Sequence, residues 1–314
     1  MQFIESKQLY NIEIICTFVA RAFKTMLLLY IHVKSRTSDK SNQLEEEILI
    51  KLIVADMDGT LLDSQKRLPT NFPALMEALT EKGIAFVPAS GRSYLTLSSI
   101  FEPYKSRMGF ICDNGCATYF KEKLINIAEI DHSEMRRILD LVFEVGDLYP
   151  GISGINGFYI QHRVESFLNL VNRYFKDPII LDDIYSAIGM DTLCKVSCSD
   201  QIEAETHGME GLAPLTDKYD LLPSGESWLD IVQKGVNKGV ALTKLMEKFG
   251  ISRDETMVFA DYVNDMPMMD KCTHTYAMKN AHPDIKAAAR YVTEKTNDEN
   301  GVIYTISKVL GLNL

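Results

Sequence analysis

The chain has 314 residues, 46% hydrophobic and 24% charged, enough apolar material for one large or two modest globular domains with a real core. A formal net charge of −10 argues against non-specific nucleic-acid binding, which needs a basic surface, yet leaves room for a local site that takes anionic metabolites. The six cysteines (Cys16, Cys112, Cys116, Cys194, Cys198, Cys272) form no CxxC pair and no zinc-finger spacing, so they read as small buried hydrophobes of a reducing cytosol, and the histidines are scattered.

Residues 1–48 do not look like the rest. The apolar stretch Ile12 to Val33 is interrupted by Glu13, Arg21, Lys24 and His32. Charges near the middle of a membrane span cost about 2.5–3.5 kcal/mol each, and no small-residue cleavage site is present, so both a span and a signal peptide fit poorly. An amphipathic surface helix is one reading. The other is a misassigned start: purine-rich codons for Glu45-Glu46-Glu47 would resemble a bacterial ribosome-binding site, with Leu49 at a plausible spacing for a TTG start. The expectation is a cytoplasmic protein in which 1–48 is an N-terminal extension, either helical or disordered or, if the start lies near Leu49, not native.

From Leu49 the pattern is regular. Ile50–Ala55 is an apolar run broken only by Lys51 and predicts a buried parallel strand. Thr70–Lys82 predicts a helix with Phe72, Leu75, Met76 and Leu79 on one face, stopped by Gly83. A strand over Ile84–Ala89, a short helix over Tyr94–Phe101 and a strand over Gly109–Cys112 follow. Near residue 117 the rhythm changes. Ala117–Phe120 and Leu124–Ile130 form a strand pair. Asp131 caps a helix striped by Met135, Ile138, Leu139, Val142 and Val145. Gly157–Gln161, Leu193–Cys198 and Trp228–Val232 are strands, and Val164–Phe175 is a helix. Within this block Gly151–Gln161 is either a mobile substrate loop or an ordinary turn before a strand. The first rhythm then returns: helix Lys238–Phe249 closed by Gly250, strand Thr256–Ala260, helix start Met266–Met269, strand Thr275–Met278, helix Asp284–Ala289, strand end Tyr291–Val292 and helix Val302–Leu310. The fold class is α/β: a doubly wound, mostly parallel sheet over 49–130 and 224–314, with an α+β domain inserted at 131–223.

Four chemically loaded clusters follow strands, at the sheet edge where open α/β folds bind ligands. Asp56-Met57-Asp58-Gly59-Thr60 offers one carboxylate to attack phosphorus and a second for acid/base work, with Gly59 allowing a sharp turn. Ser90-Gly91-Arg92 offers a hydroxyl and N–H groups for phosphate, though such a tripeptide alone is common in ordinary turns. Lys238 lies in the first turn of a helix, where the dipole disfavours a cation unless an anion is nearby. Asp261-Tyr262-Val263-Asn264-Asp265 supplies two more acids, the donor type magnesium prefers.

Together these runs resemble the haloacid dehalogenase-like (HAD) hydrolase superfamily, and within it the Cof-type phosphatases with a type IIB cap, from about Leu49 to Leu314. D-M-D-G-T-L-L is similar to motif I, S-G-R to motif II, V-N-K-G-V-A-L to motif III and D-Y-V-N-D-M-P-M-M to motif IV; Ala277–Ala281 and Asn300–Val302 match as well. The resemblance implies a Rossmann-like core, an inserted cap and a Mg²⁺-dependent phosphatase for a small phosphorylated metabolite. Asp56 would be the nucleophile and Asp58 the acid/base. Asp56, the backbone carbonyl of Asp58 and Asp261 would hold Mg²⁺, with Asp265 a ligand or support. Ser90, Gly91 and Lys238 would grip phosphate, Asn264 would contact it or orient its loop, and Arg92 would reach toward substrate. Ala260 stands where the family usually has glycine. A phosphomutase on the same chemistry, or a non-catalytic phosphometabolite sensor, shares these motifs; retention of both Asp56 and Asp58 weighs against the sensor. Neither the oligomeric state nor the particular substrate follows from these residues.

Overall fold

The computed structural model describes residues 49–224 and 227–314, apart from the side chains of Glu205 and Ser224. The expectations for the N-terminal segment, including Cys16 and a start near Leu49, lie outside these residues.

The first sheet has eight strands. In chain order they are β1 (Leu52–Asp56), β2 (Ala85–Ala89), β3 (Gly109–Cys112), β4 (Ala117–Phe120), β5 (Lys123–Ile127), β12 (Thr256–Ala260), β13 (His274–Ala277) and β14 (Tyr291–Val292). The spatial order is β14-β13-β12-β1-β2-β3-β4-β5. Pairing is parallel from β14 to β3 and antiparallel for β4 and β5. β1 is buried along its whole length because it has neighbours on both sides and helices on both faces, which its unbroken Leu-Ile-Val-Ala run requires. The order reverses around β1, since the chain first builds outward through β2 and later returns through β12. The carboxyl end of β1 is therefore a topological switch point.

The helices obey their sequence signals. α1 (Phe72–Glu81) buries Phe72, Leu75, Met76 and Leu79, the predicted stripe. α2 is Tyr94–Ile100, and α3 (His132–Val145) begins at Asp131, whose carboxylate accepts from the N–H groups of Ser133 and Glu134. α4 is Glu165–Tyr174. α5 (Lys238–Phe249) is capped by Asn237, which accepts from Val240 N–H, and closes at left-handed Gly250. α6 (Met266–Met269), α7 (Pro283–Ala288) and α8 (Gly301–Leu310) follow in the returning core segment.

The second sheet has six strands: β6 (Leu148–Gly154), β7 (Phe158–Ile160), β8 (Ile179–Ile180), β9 (Leu193–Asp200), β10 (Tyr219–Ser224) and β11 (Trp228–Gln233), ordered β10-β11-β9-β6-β7-β8. It has its own apolar core, including Met135, Ile138, Leu139 and Val142 of α3 against Ile152, Val196, Leu229 and Ile231. One expectation changes here, and of the two readings left open for Gly151–Gln161 the turn before a strand is the nearer. β11 pairs with β9, so the strand Trp228–Val232 lies in the second sheet, beyond the break expected at 223/224. Gly151–Gln161 is a hairpin, with Gly151 opposite Ile160 and Ser153 opposite Phe158, rather than a substrate loop. The run Leu-Tyr-Pro-Gly-Ile-Ser-Gly hid β6 because glycine is poor in strands. Gly151 is needed there: a Cβ would lie 2.1 Å from the Phe158 ring. Cys112, Cys116, Cys194, Cys198 and Cys272 are all buried and unbridged, as their apolar surroundings predict. Among the described residues no helix is long and apolar enough to cross a membrane.

Candidate active site

The four clusters converge on the carboxyl end of the eight-stranded sheet. Asp56 ends β1, Ser90 follows β2, and Asp261 follows β12, the two flanking neighbours of β1. Lys238 is the first residue of α5, and its side chain is buried. Its Nζ donates to Asp56 Oδ1 at 2.5 Å and to Asp265 Oδ1 at 2.7 Å. A cation at a helix N-terminus is thus held by two anions, which more than offset the unfavourable dipole. Burial works to lower the Lys238 pKa, but Asp265 and Asp56 outweigh it and hold it above the usual lysine value.

The motif around Gly59 is built for close approach. Gly59 has φ +83°, and a Cβ there would lie 2.3 Å from Asp261 Oδ2. Thr60 Oγ1 donates to Asp261 Oδ1 at 2.7 Å, tying the β1 loop to the β12 loop. Ala260 is extended at the end of β12, so its backbone does not demand the glycine usual at that position. Asp265 is completely buried, whereas Asn264 is exposed at the rim.

Carboxylate oxygens of Asp56, Asp261 and Asp265 all lie within 4.8 Å of one another. Burial pushes the Asp56 carboxyl well above the usual carboxylate range; Asp265 pushes it further, and Lys238 only partly opposes this. Burial likewise raises Asp261, with Thr60 pulling it back and Asp265 adding to the rise. Three acids face one ammonium, and the arrangement calls for more positive charge. An all-oxygen donor set with this excess of negative charge fits a hard divalent cation. The Asp58 carboxylate is not one of the three. It is engaged by cations at the cavity instead, accepting from Arg92 at 2.9 and 3.0 Å and pairing with Lys66 at 2.7 Å. Arg92, expected to reach toward substrate, is held by this contact, although it still lines the cavity.

The cavity above these residues has a volume of about 570 Å³. Its floor carries Asp56, Asp58, Ser90, Gly91, Lys238, Asp261 and Asn264. Its opposite wall comes from the second sheet and α4, with Tyr174, Phe175, Trp228 and Ser197 prominent. Sequence reasoning missed the whole cap-side lining and, on the core side, Lys66 among others. Lys66 is an exposed loop lysine with no pattern to mark it. Lys195 and Asp230 sit in predicted apolar strands, and a charge inside such a run is a signal in itself, because a buried charge must be paired.

Fold and site together define a hydrolase that works on phosphoric monoesters, and the chain belongs to the haloacid dehalogenase-like hydrolases: the family's pattern matches residues 53–306. A 5-amino-6-(5-phospho-D-ribitylamino)uracil phosphatase of Escherichia coli, YbjI, is 28% identical, the match covering 83% of this chain and 96% of that protein. A crystal structure of a Streptococcus mutans protein is 28% identical with a TM-score of 0.73, over 83% of this chain and 99% of that one. A HAD subclass IIB sugar phosphatase matches the fold with a TM-score of 0.67 at 24% identity, over 83% of this chain and 99% of its own. The core-plus-cap architecture is therefore that of the Cof-type, subclass IIB members.

Proposed function

We propose that the protein is a Mg²⁺-dependent phosphatase of small phosphorylated metabolites that works through an aspartyl phosphate on Asp56. The observation that carries this is the position of Asp56: a carboxylate at the sheet's switch point, gripped by buried Lys238 and crowded by Asp261 and Asp265. In this reading an Asp56 oxygen attacks phosphorus while the bond from phosphorus to the leaving oxygen breaks. Asp58, once turned from Arg92 and Lys66, gives a proton to that oxygen. It then takes a proton from the water that attacks the aspartyl phosphate, releasing inorganic phosphate and free Asp56. Ser90 and Lys238 hold the phosphoryl oxygens throughout. Asp56, Asp261, the Asp58 carbonyl and, directly or as support, Asp265 would hold Mg²⁺, which when bound supplies positive charge against the phosphate. We assign the catalytic core to residues 49–130 and 234–314 and the cap to 131–233, following the strand membership of the two sheets.

The substrate pocket favours a monoester whose phosphate faces the core and whose remainder meets Tyr174, Phe175 and Trp228. A polyol phosphate carrying a planar ring, the compound named for the E. coli relative, belongs first in the panel. The test is phosphate release from an aryl phosphate and a set of sugar and polyol phosphates, with and without Mg²⁺, beside Asp56→Asn. The expected result is Mg²⁺-dependent release that the variant lacks; transfer of the phosphoryl group to another sugar hydroxyl instead of water would turn the reading to a mutase.

A further inference from the structure

Lys195 lies in β9 of the cap and is among the most deeply buried side chains of the molecule, at 1% exposure. A lysine is almost never buried unless paired. Its partners span the two domains. Nζ lies 2.9 Å from Asp113 Oδ1 in the core and 3.4 Å from Asp230 Oδ2 in the cap, and donates at 3.1 Å to the carbonyl of Gly91. Burial works against its charge, yet Asp113 and Asp230 prevail and keep it protonated. Ser197 donates to Asp230, and Ser153, also from the cap, donates to Asp113 at 2.9 Å.

The Gly91 carbonyl matters because of what else its peptide does. The Ser90-Gly91-Arg92 loop is otherwise held by the core alone: Asn114 N–H donates to the Ser90 carbonyl and Asp113 N–H to the Arg92 carbonyl. The middle carbonyl is held by the cap lysine. The N–H of the same peptide unit, that of Arg92, donates to Ser90 Oγ at 3.2 Å. One peptide plane is thus fixed at its oxygen by Lys195 and at its nitrogen by Ser90. Rotation of that plane would release Ser90 Oγ and shift Arg92, whose guanidinium holds Asp58. Asp113 and Asn114 both take left-handed backbone, at φ 49° and 55°, so the segment beside this loop is strained and needs outside support.

We propose that Lys195 is a positioning residue for phosphoryl transfer: docked in the core, it orients the Gly91–Arg92 peptide and with it the Ser90 hydroxyl. The inference rests on the phosphatase reading above. It makes the geometry of the phosphate-binding loop depend on the cap being seated, so that the site is complete only when substrate is enclosed.

The test uses the full chain with Mg²⁺ and compares the parent with Lys195→Met, Lys195→Arg and the milder Ser153→Ala. The readouts are kcat and KM on an aryl phosphate and the inhibition constant of inorganic phosphate, each per folded protein. Lys195→Met is expected to lower kcat about tenfold or more and to weaken inhibition by phosphate by a similar factor, the scale of one charge-assisted hydrogen bond. Lys195→Arg should recover part of both, and Ser153→Ala should move both in the same direction by a smaller factor. If Lys195→Met does not fold, the other two variants carry the test. Folded variants whose kcat and phosphate inhibition stay within about twofold of the parent would overturn the inference and leave Lys195 a structural ion pair. A parent protein that releases no phosphate would instead sink the underlying reading.

Discussion

The wall that the core gives to the cavity is rich in charge, with Asp56, Asp58, Arg92 and Asp261 at or just past strand ends and Lys238 at the start of α5. The cap's wall sets an aromatic patch, Tyr174, Phe175 and Trp228, drawn from a helix terminus and a distant strand, beside Arg173, Lys195, Ser197 and Asp230. The core wall uses buried charges whose balance is incomplete without a cation; the cap wall has Phe175 edge-on to Trp228, with ring centroids 5.7 Å apart, an apolar surface that can meet many leaving groups. In the proposed reading the core wall carries the reaction and the cap's aromatic patch the selectivity, with Lys195 the link between them, so the two walls should respond differently to substitution.

The sharpest contrast comes from Asp56→Asn. Removal of the attacking carboxylate should lower turnover by roughly a thousandfold or more on every substrate, whatever the leaving group, measured as phosphate release. Lys238→Met should leave Asp56 and Asp265 crowded and unpaired in the interior, costing about 3–5 kcal/mol in cation-free denaturant titrations. A loss that small surface ion pairs show, well under about 1 kcal/mol, would mean the buried pair is not what holds the core wall together. Gly59→Ala should cost about 1–3 kcal/mol through its left-handed backbone, and it should also weaken Mg²⁺ binding, because the added methyl meets Asp261. On the cap side, Tyr174→Ala should change kcat/KM by a few-fold to about tenfold for ring-bearing esters, and scarcely for small acyl or alkyl phosphates. Equal effects on both would erase the distinction between the walls.

The smallest effect concerns pH. Burial, followed by neighbouring acids, raises the Asp56 and Asp261 carboxyls in the cation-free folded protein. Above their unfolded value of about 4, the folded chain then holds more protons than the unfolded chain, so this contribution to stability is present at low pH and lost as pH rises through the raised values. A cation competes with those protons for the same oxygens. The increase in denaturation midpoint on adding Mg²⁺ should therefore be larger at about pH 8 than at about pH 5, and an increment independent of pH would place the cation elsewhere.

The same contrast explains what could be read from the chain alone. The core half of the site comes in short contiguous runs, at strand ends or, for Lys238, at a helix start, so the residues of D-M-D-G-T and D-Y-V-N-D announce their neighbours. The helix stripes of α1 and α3 were equally legible from spacing. The cap half is assembled from positions far apart: Lys195 reaches Gly91, and Phe175, just past α4, stacks on Phe158 of β7. Only the oddity of Lys195 inside Leu193–Cys198 could have marked it. β6 was obscured by glycines whose purpose, room for the Phe158 ring, exists only in the folded sheet. The break expected at 223/224 falls inside the cap sheet, because β11 pairs with both β10 and β9 before the chain reaches α5.

The central claim is that phosphorus is transferred first to Asp56. Rapid acid quenching during turnover, best with Asp58→Asn to slow breakdown, followed by peptide mass mapping, tests it most directly. The expected result is a phosphoryl group on the peptide carrying Asp56 and none in Asp56→Asn. Steady phosphate release with no such adduct, or an adduct that persists on another residue when Asp56 is replaced, would contradict it.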